Sequence, residues 1–353
     1  MINLFSVYNY APSFYPALTL HIPSLLNSLE MIHKEEPTQI IISTPGPVGL
    51  IGVLAARLLG VKCTGIYHSD FTQQIECDVG GKFLPDFLER YVKWFYNQLD
   101  DIRVPSHRYI ENLSRRGFEQ KKMRIYQRGI DIKTFKYDEE AKEQMRRILK
   151  LKDGFYLLYV GRMSKDKNSD FLVRYYKALM KEYKDVYLIL TGTGPDLKTM
   201  KNQLAGLPHV RFTGPMRNLD LPGLYSLADL FVFPSTTDTF GMTVLEAQAC
   251  GLPALVSDQG GPQEIIVAER SGFVLSVTDE YAWVQATMKL MQMKAHRYDA
   301  FWQMRVEARK NVLARYRWDA SVEDILEISQ ESSQNGSQIT RFDPRMLEEN
   351  TLS

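Results

Sequence analysis

Cysteine is scarce in this chain of 353 residues, where Cys63, Cys77 and Cys250 are the three present. An odd number with no metal-ligand spacing supports no disulfide framework and fits a reducing compartment. An excess of charge of one sign is missing too. The net charge is +1, which argues against a nucleic-acid binder held by bulk electrostatics. No basic region precedes an apolar run at the start, since the first Lys or Arg is Lys34. Nor is any unbroken apolar run long enough to cross a bilayer. The simplest expectation is a cytoplasmic protein. Repeats at solenoid period and Asp-x-Asp metal motifs are also absent.

What is present describes an ordinary globular protein: 44% hydrophobic and 24% charged residues. The length predicts two domains, each with its own core. Residues 1–23, rich in Tyr, Pro and Ser, carry no clear period and read as irregular. An amphipathic helix over 24–33 follows. Strands over 39–43, 62–67, 101–104 and 124–127 then alternate with helices over 48–59, 83–99 and 108–116. The charged stretch 133–153, with a helix near 139–149, reads as the connection. A second series has strands near 155–160, 186–191, 210–212, 230–233, 254–257 and 273–275. A helix over 281–293 carries Met288 and Met291, a spacing that points to core packing. Such alternation predicts parallel sheets covered by helices, with ligands outside the strands' carboxyl ends. The expected units are 1–135, joined by 319–330 crossing back as a last helix, then 151–318, and a disordered tail over 331–353.

The organising stretch is LFVFPSTTDTFGMTVLEAQACG, residues 230–251. A buried strand ends at Pro234, a polar loop follows, Gly241 frees the backbone, and a helix runs on until Gly251 closes it. Strand, loop and helix in that order leave free amides and a positive dipole end at the sheet's carboxyl edge, where phosphates bind. The amides of Phe240, Gly241, Met242 and Thr243 form the cradle. Asp238 and Glu246 stand on either side, where they can hold the hydroxyls of a nucleotide sugar. An ordinary helix start with a solvated Glu246 is the plain alternative.

This stretch resembles the signature of retaining glycosyltransferases of family four, which have the GT-B fold of two Rossmann-like α/β domains facing a cleft. That family usually has Glu where this chain has Asp238. VGRMSKDK follows another strand, where Gly161 allows a tight turn and Arg162 and Lys167 leave with their charges free. The resemblance implies that these two hold the donor's diphosphate. It also places TGTGP, with Gly194, and VRFTG, with Phe212, near the nucleotide base, and it gives SDQGGPQEI (257–265) a supporting role. TGTGP lacks the third glycine of a dinucleotide fingerprint, so a dehydrogenase is not expected. In YHSDF the resemblance implies that His68 lies near the donor sugar, with Ser69 and Asp70 behind it, although a lone His is more often structural. RGID (128–131) has a mainly structural role in the family. Arg115, Arg116, Lys121 and Lys122 read most simply as a solvated face, with weak peripheral contact to an anionic membrane as the alternative.

PGPVGL, AARLLGV and YHSDF look most like the branch of lipid-directed mannosyltransferases and sulfoquinovosyltransferases. The implied activity is hexosyl transfer from a nucleoside-diphosphate sugar to an acceptor such as a lipid or glycolipid, with retention and without a metal or other cofactor. The implied catalytic set is His68, Arg162, Lys167 and Asp238. Donor contacts are expected from Gly161, Gly194, Phe212, Phe240, Gly241, Met242, Thr243 and Glu246. Family members open with a strand and a glycine-rich loop, whereas the first glycine here is Gly46. The first domain is therefore expected to be truncated at its N-terminus, with an open sheet edge at 39–43. That edge invites a partner chain or self-association. A donor-binding chain inactive by itself is the rival reading.

Overall fold

A computed structural model of the chain describes residues 6–10, 20–68, 70, 72, 83–126 and 128–318. The expected crossing helix over 319–330, the tail over 331–353, Ser69 and Cys77 lie outside the described residues.

Residues 1–23 were expected to be irregular, yet β1 (Ser6–Tyr10) pairs antiparallel with β2 (Leu20–Pro23). Val7, Tyr8 and Tyr10 are strand formers. The run is too short for its period to stand out beside the nearby prolines.

The first domain follows with α1 (Leu25–Lys34), β3 (Gln39–Ile42), α2 (Pro47–Leu59), β4 (Lys62–Ile66), α3 (Phe83–Asn97), β5 (Asp101–Val104), α4 (His107–Arg115) and β6 (Met123–Ile125). Its four strands are parallel in the order β3-β4-β5-β6. Among the described residues β3 is an edge strand, and its Ile41 is exposed.

The second domain comprises α5 (Glu139–Ile148), β7 (Phe155–Val160), α6 (Ser169–Glu182), β8 (Val186–Thr191), α7 (Leu197–Gln203), β9 (Val210–Gly214), α8 (Leu221–Leu227), β10 (Leu230–Phe233), α9 (Met242–Ala249), β11 (Ala254–Ser257), β12 (Gly272–Leu275), α10 (Glu280–His296) and α11 (Tyr298–Arg315). Short 3-10 turns cover Lys165–Lys167 and Pro262–Glu264. The sheet order is β12-β11-β10-β7-β8-β9, all parallel. Strands β7, β8, β10 and β11 are buried along their whole length, as unbroken apolar runs covered on both faces should be. The helix near 139–149, read as part of the connection, packs on α8 and adds Met145 to the larger core.

Each sheet has its own apolar core. From β7 the chain runs outward through β8 and β9, then returns to β10 on β7's other side and runs outward through β11 and β12. Strand order therefore reverses between β7 and β10, and a crevice opens at their carboxyl ends. RGID closes the first domain against the returning chain. Ile130 N donates to Tyr316 O at 3.1 Å, and a Cβ on Gly129 would lie 2.3 Å from the Trp318 Cα.

The turns after β7 and β8 touch directly. Gly192 has φ +122°, and a Cβ there would sit 2.1 Å from the Gly161 carbonyl oxygen. Left-handed backbone and backbone contact both demand glycine. Gly192→Ala is expected to destabilise the protein by about 2–4 kcal/mol. Urea unfolding checks this, and an unchanged midpoint would show that the turns move apart at no cost.

Candidate functional site

The crevice at the switch point is built from two loops, one after β7 and one after β10. Arg162 Nη2 lies 2.8 Å from the Asp166 carboxylate, which is buried and also accepts from Ser164 Oγ at 2.5 Å. Ser235 and Thr237, from the loop after β10, donate to the Asp166 carbonyl at 3.3 and 2.9 Å. Lys167 Nζ reaches across to Asp238 at 2.7 Å. The other oxygen of Asp238 accepts from Gly241 N at 2.9 Å.

This corrects two expectations. Arg162 and Lys167 do not leave the strand with free charges, because each has a carboxylate partner. The amides of Phe240 and Gly241 do not simply await a phosphate, because both point to Asp238, Phe240 at the longer distance of 3.4 Å. The physical reason is common to both. Two cations beside a positive helix end repel one another, and Asp166 and Asp238 supply the counter-charge. Met242 and Thr243 open the first turn of α9, where amides have no preceding helical carbonyl. Gly241, at φ +91°, makes the left-handed turn into that helix.

One turn inside α9, Glu246 accepts from the Tyr225 hydroxyl at 2.7 Å. Burial pushes its pKa up to about 7 against the opposing pull of that bond. Gly161 N donates to Thr191 O at 3.0 Å, and Met163 N to Thr193 O at 2.9 Å. The turn carrying Gly194 is thereby laid onto the VGRM turn. Phe212 is on β9, the outermost strand, with Lys201 over its ring. It is the predicted donor contact that the topology sets furthest from the switch point.

The first domain faces this crevice through the end of β4. The His68 carbonyl accepts from Thr239 Oγ1 at 2.8 Å. Burial first, and the Arg128 charge second, lower the pKa of the His68 imidazole. Ser106, which caps α4, donates to Thr239 O at 3.3 Å. Glu264, from SDQGGPQEI, accepts at the start of α4 from His107 N and Arg108 N at 3.1 and 2.7 Å. Behind His68, buried Asp70 holds Arg116 at 2.5 Å and the Tyr109 hydroxyl at 2.6 Å. Arg116 also pairs with Glu89 at 2.6 Å. The expected basic face is corrected accordingly. Arg116 is turned inward and Lys122 donates to Asn97 O, which leaves Arg115 and Lys121 on the surface.

Sequence reasoning missed Asp166, Tyr225, Thr239 and Glu264. Asp166, Thr239 and Glu264 stand inside motifs that were singled out, but no local rule separates them from loop residues. Tyr225 had no signal, since only folding brings α8 beside α9. Among the described residues no cluster of His, Cys, Asp and Glu could hold a metal, and no helix is long and apolar enough to cross a membrane.

Two parallel-sheet domains facing one another across a switch-point crevice define a GT-B architecture. Residues 2–134 match the family model Glycosyltransferase Family 4, and residues 140–311 match Glycosyl transferases group 1. The chain belongs to these glycosyltransferases. It is 27% identical over 291 residues to a GDP-mannose-dependent alpha-mannosyltransferase of Mycolicibacterium smegmatis, covering 82% of this chain and 72% of that one. It is 28% identical over 236 residues to an alpha-monoglucosyldiacylglycerol synthase of Streptococcus pneumoniae, covering 65% and 53%. One of these relatives is a mannosyltransferase and the other is named for a diacylglycerol lipid, in keeping with the branch that the motifs resemble. Among solved structures, Anabaena Alr3699/HepE in complex with UDP and glucose superposes with a TM-score of 0.71 at 19% identity, over 88% of this chain and 81% of that one, a likeness of fold.

The raised pKa of Glu246 fixes the sign of a pH effect. The folded state prefers the neutral acid, so this stability is fully present below about pH 4.5 and is lost as pH rises through about 7. The nucleotide-free protein should lose on the order of 3 kcal/mol from this group between pH 5 and 8. Glu246→Gln should flatten the profile and exceed wild type at pH 8. Urea unfolding at both pH values decides, and equal slopes would remove the assignment.

Proposed function

We propose that the chain transfers a hexosyl group from a nucleoside-diphosphate sugar to a lipid or glycolipid acceptor, with retention of anomeric configuration. The observation that carries this reading is the Lys167–Asp238 pair. It sets a cation, a carboxylate and the start of α9 at the switch-point crevice, one residue from the Thr239 that bonds His68. Arg162 and Lys167 bind the diphosphate and stabilise its charge as it leaves. Glu246 accepts from the donor's ribose hydroxyls, and the turn carrying Gly194 lies towards the base. The acceptor oxygen bonds to the anomeric carbon on the face from which the phosphate oxygen departs, and that oxygen takes the acceptor's proton. His68 lies beside the sugar and Asp238 keeps Lys167 in place.

The relatives' names point to GDP-mannose as one donor and to a diacylglycerol lipid as one acceptor, and the solved neighbour to UDP and glucose. Donor hydrolysis with GDP-mannose and UDP-glucose, followed by vesicles carrying lipid acceptors, tests the reading. Release of neither nucleotide would end it.

Among the described residues β3 lies at the sheet's edge, which favours a second reading, in which transfer needs a partner strand on that edge or a second copy. Light scattering with a turnover assay separates the two. A monomer with ordinary turnover removes the second.

Arg162→Ala and Lys167→Ala are each expected to lower kcat by on the order of 10²-fold, the loss of a transition-state stabiliser. Wild-type rates in either variant would remove its donor role.

A further inference from the structure

At the opposite end of the six-stranded sheet a second cavity, of about 390 Å³, opens between α5, α10 and α11. Gly154 before β7 and Asp229 before β10 line it, so it lies at the strands' amino ends, away from the crevice. Its cations are Lys142, Arg146, Lys294 and Arg305. Lys142 pairs with Glu139 at 2.8 Å, Lys294 with Asp229 at 2.7 Å, and Arg146 with Asp153. Arg305 is different. It is 6% exposed, its Nη1 donates to the Ala228 carbonyl at 2.9 Å, and its Nη2 is buried with no hydrogen-bond partner. The carboxylates of Asp229 and Glu139 act on this guanidinium through space, but neither is hydrogen-bonded to it, and Nη2 is left unmatched where a buried guanidinium is ordinarily paired.

Aromatic rings surround it. The guanidinium carbon is 5.3 Å from the Tyr137 ring centroid and 5.9 Å from that of Trp302. Trp302 stacks on Tyr298 at 6.4 Å, and the two are 40% and 56% exposed. Exposed stacked rings beside buried positive charge suit a ligand with a ring face and an anionic group. The volume is at the small end of ligand sites, nearer a monosaccharide than a nucleoside diphosphate.

We propose that the Arg305–Trp302 cavity binds a phosphorylated sugar, its phosphate on the Arg305 guanidinium with Lys142 beside it and its ring on Trp302.

The test is isothermal titration of the whole chain with glucose 6-phosphate, inorganic phosphate and glucose. Glucose 6-phosphate should bind at least about tenfold more tightly than either fragment. Trp302→Ala and Arg305→Met should each weaken it about tenfold or more, the size of one ring contact or one charge-assisted bond. Trp302 is on the surface, so its variant decides the matter if Arg305→Met fails to fold. Absence of heat with wild type, equal binding of phosphate or glucose alone, or unchanged affinity in Trp302→Ala each overturns the proposal.

Discussion

One carboxylate ties the loop after β7 to the start of α9, beside the bonds that Ser235 and Thr237 make to the Asp166 carbonyl. Asp238 receives the Lys167 ammonium on one oxygen and the Gly241 amide on the other. The loop after β7 is thereby fixed to the start of α9, and the left-handed Gly241 makes the turn between them. Thr239, the next residue, carries the constraint to the first domain through the His68 carbonyl. Movement of Asp238 would release Lys167, alter the entry to α9 and withdraw the hydroxyl that touches the other domain. On the proposed function, donor phosphates must compete with Asp166 and Asp238 for the same cations. Binding is then an exchange of one set of charge-assisted bonds for another, with the cations held in place beforehand.

Much of this fold was legible in the chain. The buried strands of the second domain are continuous apolar runs, and the glycines that close or open helices sit where backbone geometry requires them. Strand β5 falls where the pattern put it, and most other elements begin or end within a few residues of expectation. The hairpin of β1 and β2 was not legible, because its strands are short and their pairing is non-local. At the site, motifs located the loops but not the partners within them. Whether Arg162 faces a ligand or Asp166 depends on a 3-10 turn that spacing does not reveal. Arg116 shows the same limit. Beside Arg115 it reads as surface charge, yet a buried Asp70 far off in sequence turns it inward. The raised pKa of Glu246 depends on its burial, against the pull of the Tyr225 hydroxyl, and only tertiary structure creates that burial.

The contacts described across the crevice share one character. Thr239 to His68, Ser106 to Thr239, and Glu264 to the two amides of α4 are all hydrogen bonds. The apolar cores lie behind them, one in each domain. Water can replace every one of these bonds, so each is worth only about 0.5–1.5 kcal/mol, somewhat more where the Glu264 charge takes part. Heat capacity follows apolar area, and little of that changes hands at such a seam. A swing of the domains about this seam would therefore leave almost no calorimetric trace, and its balance would answer to ionic strength at Glu264 far more than to temperature.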